Sequence, residues 1–237
     1  MIDVVETNLD FTSLSERSYT DMIVIHHTGS PDMDASAEQI HSWHLNNGWA
    51  GIGYHYVIRK DGTIERGRPE WAIGSHAYGE NSHTIGIHVC GDFSAVKPTE
   101  IQIEKCAALI ADICDRYGIP IDRKHIVGHG ELMATDCPCI NMQSLLDDGT
   151  LVGKAIYYYN QTHGIENTAD EPKEQDGGKQ GGRGMERFNT VDSLPEWAKP
   201  TIQKMIDKGL LNGNGESLDL SLDMLRIFVV NDRSGLY

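Results

Sequence analysis

Positive charge is scarce in this chain: 20 lysines and arginines stand against 35 aspartates and glutamates, a net charge of −15 over 237 residues. Phosphate binding relies on clustered Lys and Arg, so a nucleic-acid surface is excluded. Long apolar runs are missing too. No stretch approaches the roughly 18 apolar residues that a membrane span needs, and Met1-Ile2-Asp3-Val4-Val5-Glu6 lacks a basic region followed by an apolar run. The expectation is synthesis in the cytoplasm without a signal peptide. Cysteines are few and odd in number (Cys90, Cys106, Cys114, Cys137, Cys139), with no disulfide-framework spacing, which fits a reducing place of synthesis. Aromatics make up 7% and hydrophobics 39% of the chain, enough for one good core and a small second one.

The periodicities present alternate between strand and helix. Met22-Ile23-Val24-Ile25 is a short, partly β-branched run that predicts a buried strand ending at His26. Ser36 and Gln39 form a capping box for a helix carrying Ile40, Trp43 and Asn47 and ending near Gly48, with Trp43 expected in the core. Strands at 52–59 and 63–66 flank Lys60-Asp61-Gly62, a hairpin signal, and 84–90 is a further apolar strand. Thr99 and Gln102 cap a helix to Tyr117, with Ile103, Cys106, Ile110, Ile113 and Tyr117 on one face; Gly118 ends it and Pro120 blocks its continuation. A short strand at 125–127 and a helix over 142–159 follow. Strands mixed with covering helices argue an α/β class, a mixed central sheet flanked by helices.

From Gly164 to Gly184 the composition turns to Glu, Lys, Gln, Asp and Gly, which cannot offset its ordering entropy and predicts a flexible linker. Beyond it, Ser193-Leu194-Pro195-Glu196 is expected to open a helix with Trp197, Ile202, Met205 and Ile206 facing inward and Gly209 closing it. Asn212-Gly213-Asn214-Gly215 then leads to a helix over 221–233. The domains expected are 1–163, a linker at 164–186, and a small helical module at 187–237.

His129 and Cys137, eight residues apart, together with the distant His26, are the candidate metal ligands. Two imidazoles and one thiolate suit Zn²⁺ while leaving a fourth position to water, the open arrangement of a catalytic ion. That spacing has none of the regularity of paired CxxC motifs. Its weight comes from Gly53-Tyr54-His55-Tyr56, Lys60-Asp61-Gly62-Thr63-Ile64, Gly74-Ser75-His76-Ala77 and Thr84-Ile85-Gly86-Ile87, in that order. Over about 21–141 the chain resembles the type 2 N-acetylmuramoyl-L-alanine amidases, which include phage lysozyme-type amidases and animal peptidoglycan-recognition proteins.

The resemblance implies the α/β fold of that family, a zinc cofactor, peptidoglycan as substrate, and His26 rather than His27 as ligand. Alternation along a strand puts the two on opposite faces, so only one can face the metal. It implies Tyr54 as a catalytic residue, where a phenol can donate to an oxyanion or relay a proton. Thr135 stands where phage enzymes carry lysine and catalytic recognition proteins commonly carry threonine. His88 stands where recycling-type amidases place a glutamate, and either substitutes as base or packs. His76 is a candidate substrate-groove residue, with a hydrogen bond to backbone as the alternative, and Trp71 is placed to border the groove. Cys139 is expected to point away from the metal. Cys106 and Cys114 are core residues; His55 points away from Tyr54, His125 ends a strand, and His41, His44, His83 and His163 carry no motif.

The activity implied is that of an endolysin-like hydrolase, from a phage or prophage, acting on the cell wall after release. Its rivals are a non-catalytic peptidoglycan-recognition protein with a retained zinc site, and a structural zinc site completed by Cys139. The C-terminal helix, Gly-rich turn and helix weakly resemble an S-layer-homology repeat, implying attachment to a secondary wall polymer. A unit of that size is marginal alone and is expected to self-associate or lean on the amidase domain. Gly181-Gly182-Arg183-Gly184-Met185 can be encoded as a ribosome-binding sequence before an in-frame start, which suggests a co-produced 185–237 fragment as partner.

Overall fold

The apolar run before His26 becomes the strand around which the first unit is built. In the computed structural model, which describes residues 2–29, 33–165, 187–195, 198–211, 218, 220, 221, 225 and 228, β1 (Met22–His27) lies between β4 (Thr84–Val89) and β5 (Ile126–Gly128). Both pairings are parallel. β2 (Tyr56–Ile58) pairs with β4 in parallel and with β3 (Ile64–Arg66) antiparallel, giving the order β3-β2-β4-β1-β5. The Lys60-Asp61-Gly62 turn closes the β2–β3 hairpin, with Gly62 at a φ of 86° that its missing Cβ permits.

Parallel strands need both faces covered, and the period of two sorts their residues accordingly. Ile23 and Ile25 of β1, Ile85, Ile87 and Val89 of β4, and Tyr56 and Ile58 of β2 share a core with α2 (Glu100–Tyr117), α3 (Ile140–Asp147) and α4 (Thr150–His163). Val57 joins a second cluster with Ile40 of α1 (Ala37–Asn46), Ile52 and Cys90, against which Leu9, Phe11 and Tyr54 pack. His26 and His88, register partners on adjacent strands, lie off the α2 side by the same alternation.

Both capping boxes are present, Ser36 with Gln39 and Thr99 with Gln102. Gln102 is fully buried and carries a further load: its Nε2 donates to Cys90 O at 2.8 Å, tying the N-terminus of α2 to the end of β4. Gly118 ends α2 in the left-handed region. Cys106 and Cys114 are core residues. Tyr117 departs from the expected inward face: it is exposed, and its hydroxyl donates to Glu70. Trp43 is likewise 39% exposed rather than in the core. The single helix expected over 142–159 is two helices, because Gly149 takes a φ of 78° and breaks the chain between α3 and α4.

The chain divides into two units, Met1–Asp170 and Glu171–Tyr237. In the second, α5 (Lys199–Asp207) buries Ile202 and Met205 in a cluster with Phe188, Leu194, Ala198 and Leu225. The described residues add a strand pair, β6 (Arg187–Phe188) with β7 (Leu220–Ser221), so the expected helix does not begin at Ser221; within its range Leu225 and Phe228 are helical, and the rest of 222–233 lies outside the described residues. Ser193 does not cap a helix. It ends a 3₁₀ turn (Val191–Ser193) capped by Thr190, and Leu194 is extended as the residue before a proline prefers. The helix starts later, with Pro200 in its first turn, where a missing N–H costs nothing. Gly209 follows in the left-handed region. Most of the expected linker, Met185, Trp197 and Asn212-Gly215 lie outside the described residues.

Two stability predictions arise from this architecture. Gln102→Ala removes a cap and strands the Cys90 carbonyl, and is expected to cost about 2–3 kcal/mol by urea unfolding. His83 bridges Asp21 at 2.6 Å and Glu80 at 2.9 Å and stacks on Tyr19. Burial lowers its basicity, but the hydrogen bonds to Asp21 and Glu80 outweigh that and leave its pKa raised. A raised pKa stabilises fully below about 6.5 and loses its effect as pH climbs through the raised value. His83→Gln should therefore lower the melting temperature by about 1–3 °C at pH 6 and leave it unchanged at pH 9.

Candidate metal centre and active site

β1 delivers His26 at its C-terminal end, 1% exposed. β5 ends at Gly128, and His129 opens the 3₁₀ turn His129–Glu131 that follows. The chain then folds back: Gly130 N donates to Cys137 O at 2.6 Å. A Cβ at Gly130 would lie 2.7 Å from Thr135 O and 3.1 Å from Cys137 O, so only glycine lets this loop close tightly. The closure explains the eight-residue spacing, since it returns Cys137 to His129.

One ligand atom each from His26, His129 and Cys137 lies within 4.8 Å of the others. Cys137 Sγ is 3.7 Å from His26 Nδ1, and the rings of His26 and His129 are 4.4 Å apart. Burial holds His26 well below the ordinary imidazole range, with His76, His129 and His88 adding to it, and burial lowers His129 as well. Both imidazoles are thus neutral with lone pairs available. Burial pushes the Cys137 thiol up to about 12; a bound cation reverses that logic by favouring the thiolate. Two neutral imidazoles and a thiol converging within 4.8 Å fit a zinc ion.

Tyr54 stands over this group, its ring 5.0 Å from His26 and 4.7 Å from His88. Burial, with a smaller contribution from Cys137, raises its pKa above the ordinary phenol value, so Tyr54 is a proton donor near neutral pH and not a base. Thr135 is exposed; its Oγ1 accepts from Cys137 N at 3.3 Å, leaving its own proton free to donate. His88 is buried and held down to about 3 by burial, His27 and His44. Its Nε2 lies 3.0 Å from Thr28 Oγ1, and its Nδ1 has no hydrogen-bond partner among the described residues.

Two expected substrate contacts sit elsewhere. His76 is 8% exposed and lies behind His26, with Nδ1 3.0 Å from His26 Nε2. It therefore touches a ligand and not an open groove. Trp71, 54% exposed, lines a cleft with Glu6, Asp10, Leu14, Pro69 and Tyr117, which none of His26, Tyr54, His129 and Cys137 line. Cys139 is turned toward His27, with Sγ 3.4 Å from Nε2, on the other side of β1 from the His26 group. His55 is buried, with Nδ1 accepting from Gly86 N, and His125 pairs with Asp122. His44, which no motif marked, borders the centre: its ring is 5.7 Å from Tyr54 and 4.4 Å from Trp49, and its Nδ1 accepts from Gly53 N. Its position one helical turn after the buried Ile40 was the available signal.

An α/β sheet presenting a His-His-Cys group that could hold a metal, beside a half-buried phenol, defines an enzyme of the amidase class. The N-acetylmuramoyl-L-alanine amidase family model matches residues 16–140, more than half of the chain, and the chain belongs to that family. It is similar to the endolysin of Escherichia phage T7, 30% identical over 143 residues that cover 58% of this chain and 92% of that protein. It is also similar to peptidoglycan-recognition protein SC2 of Drosophila simulans, 33% identical over 55% of this chain and 73% of the relative. Among solved structures, the N-acetylmuramoyl-L-alanine amidase LysC from Clostridium intestinale URNW superposes with a TM-score of 0.55. It is 34% identical and matches 70% of this chain and 100% of LysC. The protein is an endolysin-like amidase.

The placement of the two neighbouring thiols yields a prediction. Zinc measured by elemental analysis after gel filtration is expected to be retained at a single ion per chain by the native sequence and by Cys139→Ser, and lost from Cys137→Ser.

Proposed function

We propose that the protein is a zinc-dependent hydrolase of peptidoglycan, cutting the amide between the lactyl group of N-acetylmuramic acid and the L-alanine of the stem peptide. The observation that carries this is the convergence of His26, His129 and Cys137 within 4.8 Å, with Tyr54 beside them. His26, His129 and Cys137 would hold the ion, which when bound supplies Lewis-acid polarisation of a carbonyl and lowers the pKa of water toward about 7.

The chain's own groups provide the rest. Tyr54 keeps its proton near neutral pH, so its hydroxyl can donate to the oxygen that gains charge when the scissile carbonyl becomes tetrahedral. Thr135 adds a second hydroxyl beside Cys137, without the charge a lysine would bring. His88, buried and weakly basic, supports the Tyr54 ring and takes no part as base. His44 and Trp49 extend the wall next to Tyr54 and offer a surface for sugar or peptide.

The second unit is proposed to hold a secondary wall polymer, as a weak S-layer-homology likeness suggests, and to self-associate, with a co-produced 185–237 fragment as one candidate partner. Joining the two units in one chain would raise the effective substrate concentration at the amidase unit. The protein is proposed to be a phage or prophage endolysin that reaches the wall after release. No helix among the described residues is long and apolar enough to cross a membrane.

The test is release of free L-alanine amines from purified peptidoglycan by metal-free, zinc-restored and Cys137→Ala protein. New alanine N-termini that require both zinc and Cys137 are expected. Bound zinc without new amines on several wall types would instead indicate a non-catalytic recognition protein. In the same assay Tyr54→Phe should lower turnover by about 10²–10³-fold, while His88→Ala, if folded, should stay within about threefold of the native rate, against the two to four decades a general base supplies.

A further inference from the structure

His76 has a seat built for its ring. A Cβ at Gly86 would lie 2.6 Å from His76 Cγ, and one at Gly74 would lie 2.5 Å from His76 Cδ2. Glycine on β4 and glycine in the preceding loop thus clear the space that the imidazole fills. The backbone beneath is clamped, since His76 N and Ala77 N both donate to Asn81 Oδ1, at 2.8 and 2.9 Å. The ring stands at 84° to that of His26, with centroids 5.0 Å apart, an orientation that aims one nitrogen at the other ring's edge.

The hydrogen bonds through this ring have a determinable direction. Glu80 O is a carbonyl and can only accept, so Thr84 donates its hydroxyl proton there, at 2.9 Å. Thr84 Oγ1 then faces His76 Nε2, at 3.4 Å, as an acceptor, so the proton of His76 sits on Nε2. His76 Nδ1 is left with a lone pair, and His26 Nε2, 3.0 Å away, must carry the proton between them. His26 Nδ1 is consequently unprotonated, and it is the nitrogen 3.7 Å from Cys137 Sγ. The opposite order would require Thr84 to give up its shorter bond to Glu80 and would place a proton on the nitrogen that faces the other two ligands.

We propose that His76 is a positioning residue: through the Glu80–Thr84–His76 chain it holds His26 in the Nε2–H tautomer and keeps Nδ1 open to the metal. This rests on the zinc reading above and deepens it, because outer hydrogen bonds of this kind set both the orientation and the basicity of a ligating histidine. Thr84 is itself fixed, its carbonyl accepting from Arg17 Nη1 at 2.9 Å.

The test compares His76→Leu with His76→Asn in the full chain. Asparagine can present Oδ1 near the position of the lost Nδ1 and accept from His26; leucine fills space without an acceptor. Zinc affinity, read by competition with a chelator, should fall about 10–100-fold in the leucine variant and recover most of the loss in the asparagine variant. Nitrogen NMR of the histidine rings in the metal-free chain should show His26 protonated at Nε2 in the native protein and a mixed tautomer in the leucine variant. Should neither variant fold, Thr84→Val reports instead, with an expected shift of the His26 and His76 ring signals and a several-fold affinity loss. Equal affinities for leucine, asparagine and native chains, or unchanged ring signals in Thr84→Val, would overturn the proposal. Failure of the native chain to take up zinc at all would remove the metal reading itself, a distinct result.

Discussion

A strand covered on both sides must send alternate residues in opposite directions, and that rule applied to β1 governs the whole centre. Ile23 and Ile25 are committed to the core beneath α2. His26 therefore turns to the other side, and the parallel register with β4 sets His88 beside it. The next residue, His27, returns to the core side, where it meets Phe93 and Cys139. Two adjacent histidines thus do unrelated work, one with Cys137 and one with Cys139, and the apolar residues upstream decide which is which. A one-residue slip of β1 would exchange them while turning its isoleucines away from the α2 core, so the register that fills the core also aims the ligand.

Burial then sets the chemistry. Removed from water, His26, His76 and His88 are all disfavoured as cations, and the Cys137 thiol and Tyr54 phenol both hold their protons more firmly. The same low-polarity pocket keeps nitrogen lone pairs available and keeps the phenol a donor. The glycines contribute by what they omit. Gly130 closes the loop that returns Cys137 to His129, and Gly74 and Gly86 admit the ring that backs His26.

Much of the fold was legible because its signals are local. The capping boxes at Ser36 and Thr99 and the Asp61-Gly62 hairpin each lie within a few residues of what they specify. The break at Gly149 was less visible, since flanking apolar residues keep a helical period across it. The β6–β7 pair escaped notice because two residues cannot establish an alternation. In the centre, the grouping of His26, His129 and Cys137 was readable by resemblance, whereas His44 went unmarked and His76 was expected at the groove and not behind His26. Which way a loop or helix histidine turns depends on packing partners outside its own element, such as Gly53 for His44 and Gly86 for His76.

The three candidate ligands differ in their setting. His26 is anchored in the middle of a sheet, its ring backed by a neighbour lodged against two glycines. His129 and Cys137 sit on a half-buried turn closed by the hydrogen bond from Gly130 N to Cys137 O and reinforced by those from Cys137 N to Thr135 Oγ1 and from Gly128 N to Glu131. One side of the centre belongs to the sheet and the other to a loop. Substitutions in that loop would move two candidate ligands together and leave His26 in its seat, so the two halves of the centre are open to separate change.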